Sequence, residues 1–89
     1  MSGKRNLHVL LLAGGRSAEH PISLRSAATV LDGLVKSGYR TTLVGVTRDG
    51  LWVHGDLKPQ LEKARTAILD LDPSGTTPVA LVWDAAPLP

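Results

Sequence analysis

The stretch Leu7 to Arg16 constrains this chain more than any other. Leu7 to Ala13 is apolar throughout except for His8, and Gly14-Gly15 closes it abruptly. A short continuous apolar run bounded by glycines fits a strand buried on both faces, as in a parallel sheet. Six residues after the second glycine comes Pro21. Proline is accepted in a helix only in its first turn, where its missing N–H costs nothing, so a helix is expected to start at Pro21. Leu24, Ala27 or Ala28, Leu31, and Leu34 or Val35 then recur at spacings of three and four, which is one apolar stripe. Arg25, Asp32 and Lys36 fall off it. Ser37-Gly38 supplies the stop, with Gly38 as the left-handed residue after the cap.

Tyr39 to Val46 reads as a second strand, carrying β-branched Thr41, Thr42, Val44 and Val46. Strand, glycine turn, helix, glycine stop and strand make a βαβ unit, whose crossover lies on a parallel sheet. Asp49-Gly50 is a turn dipeptide before the short strand Leu51-Trp52-Val53, so Val46 to Val53 is either a hairpin or a bent edge extension. Leu57, Leu61, Ala64 and Ile68 form a second helical stripe over Leu57 to Leu69. Asp70 to Pro78 reads as a loop, Val79 to Trp83 as a third strand, and Asp84 to Pro89 as the start of a linker. The expected fold class is α/β: a small three-layer half of a doubly wound parallel sheet. Such a sheet normally needs more strands or a neighbouring domain to cover it.

The chain has 89 residues, enough for one domain and one modest core. With no Phe and only Tyr39, Trp52 and Trp83 as aromatics, that core is aliphatic, and the tryptophans are expected to act as packing anchors. The absence of Cys excludes a disulfide scaffold, a thiolate zinc site and a cysteine nucleophile, and suits a cytoplasmic protein. A net charge of +2 with scattered basic residues and no basic stripe argues against nucleic acid as a partner. No apolar run approaches the roughly 20 residues that cross a bilayer, so no membrane partner is expected. His8, His20 and His54 show no metal-ligand spacing, and no metal site is expected within the chain.

Open α/β sheets place ligands at the carboxyl ends of their strands. Here that end is Ala13-Gly14-Gly15-Arg16-Ser17-Ala18-Glu19-His20. The dinucleotide fingerprint GxGxxG fails because Arg16 stands where its second glycine belongs, and the phosphate loop GxxxxGK[ST] is absent. The residues alone leave two readings of the Gly14-Gly15 turn: a plain strand-to-helix connection, or a close backbone approach to a ligand. They leave two of Glu19 as well: an exposed acid favoured by the helix dipole, or a carboxylate aimed across the crevice and suited to an ammonium group. Ser23 either bonds locally in the first helical turn or supports Glu19.

The stretch Leu12 to Leu31 resembles the amino-terminal region of D-alanine:D-alanine ligases, whose pattern is approximately F-G-G-x-S-x-E-H-E-V-S-x-x-S-A-x-x-V. Gly14, Gly15, Ser17, Glu19, His20, Ser23, Ser26, Ala27 and Val30 match it. Val44-Gly-Val-Thr-Arg-Asp-Gly-Leu-Trp52 looks like the family's I-G-I-x-x-x-G-x-W. Pro21 departs from the pattern, standing where the family carries an acid.

The resemblance implies a pre-ATP-grasp, Rossmann-like domain spanning residues 1–89, ahead of an ATP-grasp portion that this chain does not contain. In such enzymes ATP phosphorylates the carboxylate of a first D-alanine. The amine of a second then attacks, giving the dipeptide used in peptidoglycan for the cell wall. Glu19 would bind the ammonium of the first D-alanine and is the catalytic candidate; Gly14 and Gly15 would shape its pocket, with Ser23 in support. ATP and Mg²⁺ would be bound by residues beyond this chain, since the family's next motif, H-G-x-x-G-E-D-G, is not reached. The 89 residues alone are therefore expected to be inactive, and the complete enzyme to be a cytoplasmic homodimer. The contrasting expectation is a stand-alone α/β module that binds an amino acid or regulates a partner without catalysis.

Overall fold

A computed structural model describes residues 7–80. The element order is β1 (His8–Gly14), α1 (His20–Lys36), β2 (Arg40–Val46), β3 (Trp52–His54), α2 (Lys58–Ala64) and β4 (Thr77–Pro78). The four strands form one sheet in the order β1-β2-β3-β4. β1 and β2 pair in parallel from His8↔Arg40 to Gly14↔Val46, as a βαβ crossover requires. β3 and β4 then add antiparallel, so the α/β sheet is mixed. The Asp49-Gly50 turn joins a true hairpin, with Val46 opposite Trp52. No helix among the described residues is long and apolar enough to cross a membrane.

The first helix follows its sequence signals closely. It starts at His20 with Pro21 in its first turn, and buries Leu24, Ala27, Ala28 and Leu31. Gly38, at φ 84°, donates to the Val35 carbonyl, and Tyr39 donates to that of Leu34. This pair of bonds is the Schellman stop, in which a left-handed residue satisfies carbonyls left over at the helix end.

Four expectations are corrected. The second helix ends at Ala64 rather than Leu69, because the chain turns at Arg65 and Thr66. Ile68 is 83% exposed instead of buried, while Leu71 enters the core. The segment read as a plain loop over Asp70 to Pro78 contains β4, whose two residues pair with Val53 and His54. β1 buries alternate side chains only: Ala13 is buried, whereas Leu10 and Leu12 are exposed. The reason is that α1 and α2 pack together on the same side of the sheet. Of the third strand expected at Val79 to Trp83, Val79 and Ala80 lie in no strand; the rest of it, with Trp83 and the expected linker, falls outside the described residues.

The core sits on a row of small residues across the sheet: Ala13, Gly45 and Val53 are register partners and all are buried. Leu57 and Leu71 seat on this row. A Cβ at Gly45 would stand 2.5 Å from a methyl of Leu71 and 3.0 Å from one of Leu57. The two helices are tied at their polar edges. Arg65 reaches Asp32 of α1 at 2.7 Å and Glu62 of α2 at 2.9 Å, and the Arg25 Nε donates to the Ala64 carbonyl at 3.0 Å.

The β2–β3 turn is closed by Thr47. Its buried hydroxyl donates to the Asp49 carboxylate and accepts the Leu51 amide at 2.9 Å. That hydroxyl, the backbone amide of Asp49 itself and the charge of Arg16 hold the Asp49 carboxyl below its ordinary 3.8. A carboxyl lowered on folding stabilises the fold at pH values above its unfolded pKa. The contribution is lost as pH falls through the lower folded value. Asp49→Asn should therefore flatten the acid side of the stability curve; urea midpoints taken across that range would check it, and an unchanged acid slope would contradict it.

Candidate functional site

The site expected from the sequence lies where β1 and β2 end side by side. Gly14 and Gly15 turn the chain with φ of 101° and 119°, a region open to glycine and strained for other residues. Space is as decisive as conformation at Gly14: a Cβ there would fall 2.2 Å from the Val46 carbonyl oxygen. The Gly15 amide donates to that same oxygen at 2.8 Å, which fastens the turn to the end of β2.

Ser23 takes a local role. Its hydroxyl accepts the Gly14 amide at 3.0 Å, so it braces the turn instead of reaching Glu19. Its backbone amide donates to the Glu19 carbonyl at 2.8 Å, as the first bond of α1. Glu19 is the cap residue of α1 and is exposed. The Ser17 hydroxyl accepts its amide at 3.1 Å, but its carboxylate bonds to nothing among the described residues. The structure thus joins Gly14, Gly15 and Ser23 directly and leaves the Glu19 carboxylate free beside them.

Three features of this region were not legible in the sequence. His20 is fully buried, its Nδ1 2.6 Å from the Gly15 carbonyl oxygen and its Nε2 2.9 Å from the Leu71 amide. Arg48 pairs with Asp70 at 2.8 Å and extends to the Ser17 carbonyl at 3.4 Å. Arg16 lies over Gly50, where a Cβ would meet its side chain at 3.1 Å. The turns after β1 and β2 and the segment leading to Leu71 therefore share one end of the sheet.

The other histidines stand apart. His8 is exposed and bonds Thr42 at 2.6 Å across the β1–β2 pair, and His54 is exposed on β3. No group of three His, Asp or Glu side chains among the described residues could hold a metal.

Comparison with known proteins places this geometry. A family model described as "D-ala D-ala ligase N-terminus" matches residues 8–80. A D-alanine–D-alanine ligase of Bradyrhizobium sp. (strain BTAi1) is 45% identical over 74 residues, 82% of this chain and 19% of that protein. The ligase of Enterococcus hirae is 37% identical over 70 residues, covering 78% of this chain and 20% of its own length. That of Enterococcus gallinarum is 47% identical over 51 residues, 57% of this chain and 16% of that protein. Among solved structures, the D-Ala:D-Ser ligase VanG of Enterococcus faecalis superposes with a TM-score of 0.55 at 28% identity, over 65% of this chain and 17% of that one. The chain thus spans a fifth or less of the length of each of these relatives. With its glycine turn, its capping glutamate and its parallel β1–β2 pair matched within a single family model, the chain belongs to the amino-terminal domain family of the D-alanine–D-alanine ligases.

Proposed function

We propose that this chain is the amino-terminal domain of an ATP-dependent D-alanine:D-alanine ligase, and that Glu19 holds the ammonium of the first D-alanine. The observation that carries the reading is the Glu19 carboxylate: it is exposed at the carboxyl ends of β1 and β2 and engaged by no described residue. A side chain left without an internal partner, on a backbone fixed by the Ser17 hydroxyl and the Ser23 amide, is suited to an external cation. Gly15, where a Cβ would meet nothing within 4 Å, keeps the adjacent surface free of a side chain so that a small zwitterion can approach the backbone, while Gly14 lets the turn close against β2. Ser23 contributes by bracing that backbone.

The relatives named as D-alanine–D-alanine ligases support the substrate class. ATP and Mg²⁺ belong to residues outside these 89, which on their own do not ligate. The complete enzyme works in the cytoplasm as a homodimer and supplies the dipeptide for peptidoglycan. The reading concerns the first substrate.

Steady-state kinetics on the complete enzyme tests it. Glu19→Gln keeps the shape and removes the charge, and a hydrogen bond to a charged group is worth about 1.5–3 kcal/mol. The Michaelis constant for the first D-alanine should rise about 10–100-fold. An unchanged Michaelis constant and turnover would remove Glu19 from the site.

A further inference from the structure

His20 is a buried polar side chain whose two ring nitrogens face opposite kinds of partner. Gly15 offers a carbonyl oxygen at 2.6 Å, which only accepts; Leu71 offers a backbone amide at 2.9 Å, which only donates. Nε2 must therefore accept and Nδ1 must carry the hydrogen. Neither the other tautomer nor the imidazolium satisfies both contacts, since each sets an Nε2–H against the Leu71 N–H. The ring also lies against Gly14, where a Cβ would come within 3.1 Å of Cε1.

The consequence is a closed ring of chain. Residues 15 to 20 are joined covalently in sequence and bonded back on themselves through the imidazole. Within that ring the Ser17 carbonyl accepts the His20 amide at 3.0 Å and the Ser17 hydroxyl accepts the Glu19 amide. Glu19 rides in this short loop with few conformations left to it. The second ring nitrogen anchors the same loop to a segment 51 residues away. Arg16 and Glu19 are the charged residues of the loop itself, Asp70 precedes Leu71, and Arg48 bridges Asp70 to the Ser17 carbonyl.

We infer that His20, as the neutral Nδ1–H tautomer, is a positioning residue that clasps the glycine turn to Leu71 and thereby sets where Glu19 presents its carboxylate. This inference deepens the proposed function and rests on it for the identity of the ligand. The clasp itself stands on geometry alone.

Two measurements on the full-length polypeptide that carries these residues test it. In ¹⁵N-labelled protein at neutral pH, the imidazole correlations of His20 should show a protonated Nδ1 and a bare Nε2. A charged ring or an Nε2–H tautomer overturns the clasp, and this reading needs no variant that must fold. In kinetics, His20→Ala should raise the Michaelis constant for the first D-alanine about tenfold, the worth of one lost hydrogen bond, with a smaller change in turnover. His20→Gln, which keeps one donor and one acceptor, should recover part of the loss and serves where the alanine variant does not fold. Combined with Glu19→Gln, the effect of the His20 change should shrink, because the two act through one contact. Full additivity, or an unchanged Michaelis constant in a folded His20 variant, overturns the positioning role. A wild-type enzyme that makes no dipeptide, yet shows the Nδ1–H signature, overturns the functional reading and leaves the clasp in place.

Discussion

Gly14→Ala should cost this domain a large part of its stability, while Gly15→Ala costs distinctly less. Both positions have positive φ, so both substitutions pay for strained backbone, about 1–3 kcal/mol. Only at Gly14 does the new Cβ also collide, at 2.2 Å from the Val46 carbonyl oxygen; at Gly15 nothing lies within 4 Å. That oxygen is backbone and cannot swing aside. Relieving the overlap means separating the ends of β1 and β2 and stretching the Gly15–Val46 hydrogen bond, worth about 1 kcal/mol more. A chain of 89 residues has only about 5–13 kcal/mol to lose. Urea unfolding of the two variants would decide: equal midpoints would mean that conformation alone, and not the close approach to β2, demands glycine at 14.

The second large effect is at Leu24. It is 0% exposed at the centre of the α1 face, and Leu24→Ala should destabilise by about 2–5 kcal/mol through lost burial and the cavity left behind. Ile68→Ala is the instructive partner. By periodicity both residues sit on helical stripes, but Ile68 is 83% exposed beyond the end of α2, and its truncation should stay within about 0.5 kcal/mol. Thermal or urea unfolding of both variants would check the pair. A comparable loss at Ile68 would mean that α2 continues past Arg65 and buries that side chain.

That contrast also marks where local pattern stops being informative. β1, the glycine turn, α1 and β2 are legible because their signals are local: Pro21 admits only a first-turn position, Gly38 makes the Schellman stop, and the apolar stripe has the period of one face. The end of α2 is set by a distant event, the entry of Leu71 into the core with its amide bound to His20. β4 is invisible for the same reason, since two residues beside a loop become a strand only by pairing with Val53 and His54. In the site, Glu19 and the glycine pair could be picked out in sequence. The direction of the Ser23 hydroxyl could not, because a first-turn serine has several backbone partners within reach. His20 shows no metal-ligand spacing in the sequence, and in the fold its ring is satisfied by Gly15 and Leu71. Nothing in the one-dimensional pattern pairs a histidine with an amide 51 residues later.

The seat of Leu71 on Gly45 carries a consequence for how such sequences can drift. With no room for a Cβ between them, the two positions share a fixed allotment of volume. A larger residue at 45 is compatible with this core only where 71 becomes smaller, so the pair should vary together across relatives while neither varies freely alone. Exchange of bulk between them is not neutral for the rest of the molecule, since the backbone amide of Leu71 is the one His20 holds. Drift in the middle of β2 is thereby coupled to the shape of the glycine turn, and a substitution far from any ligand can retune the site.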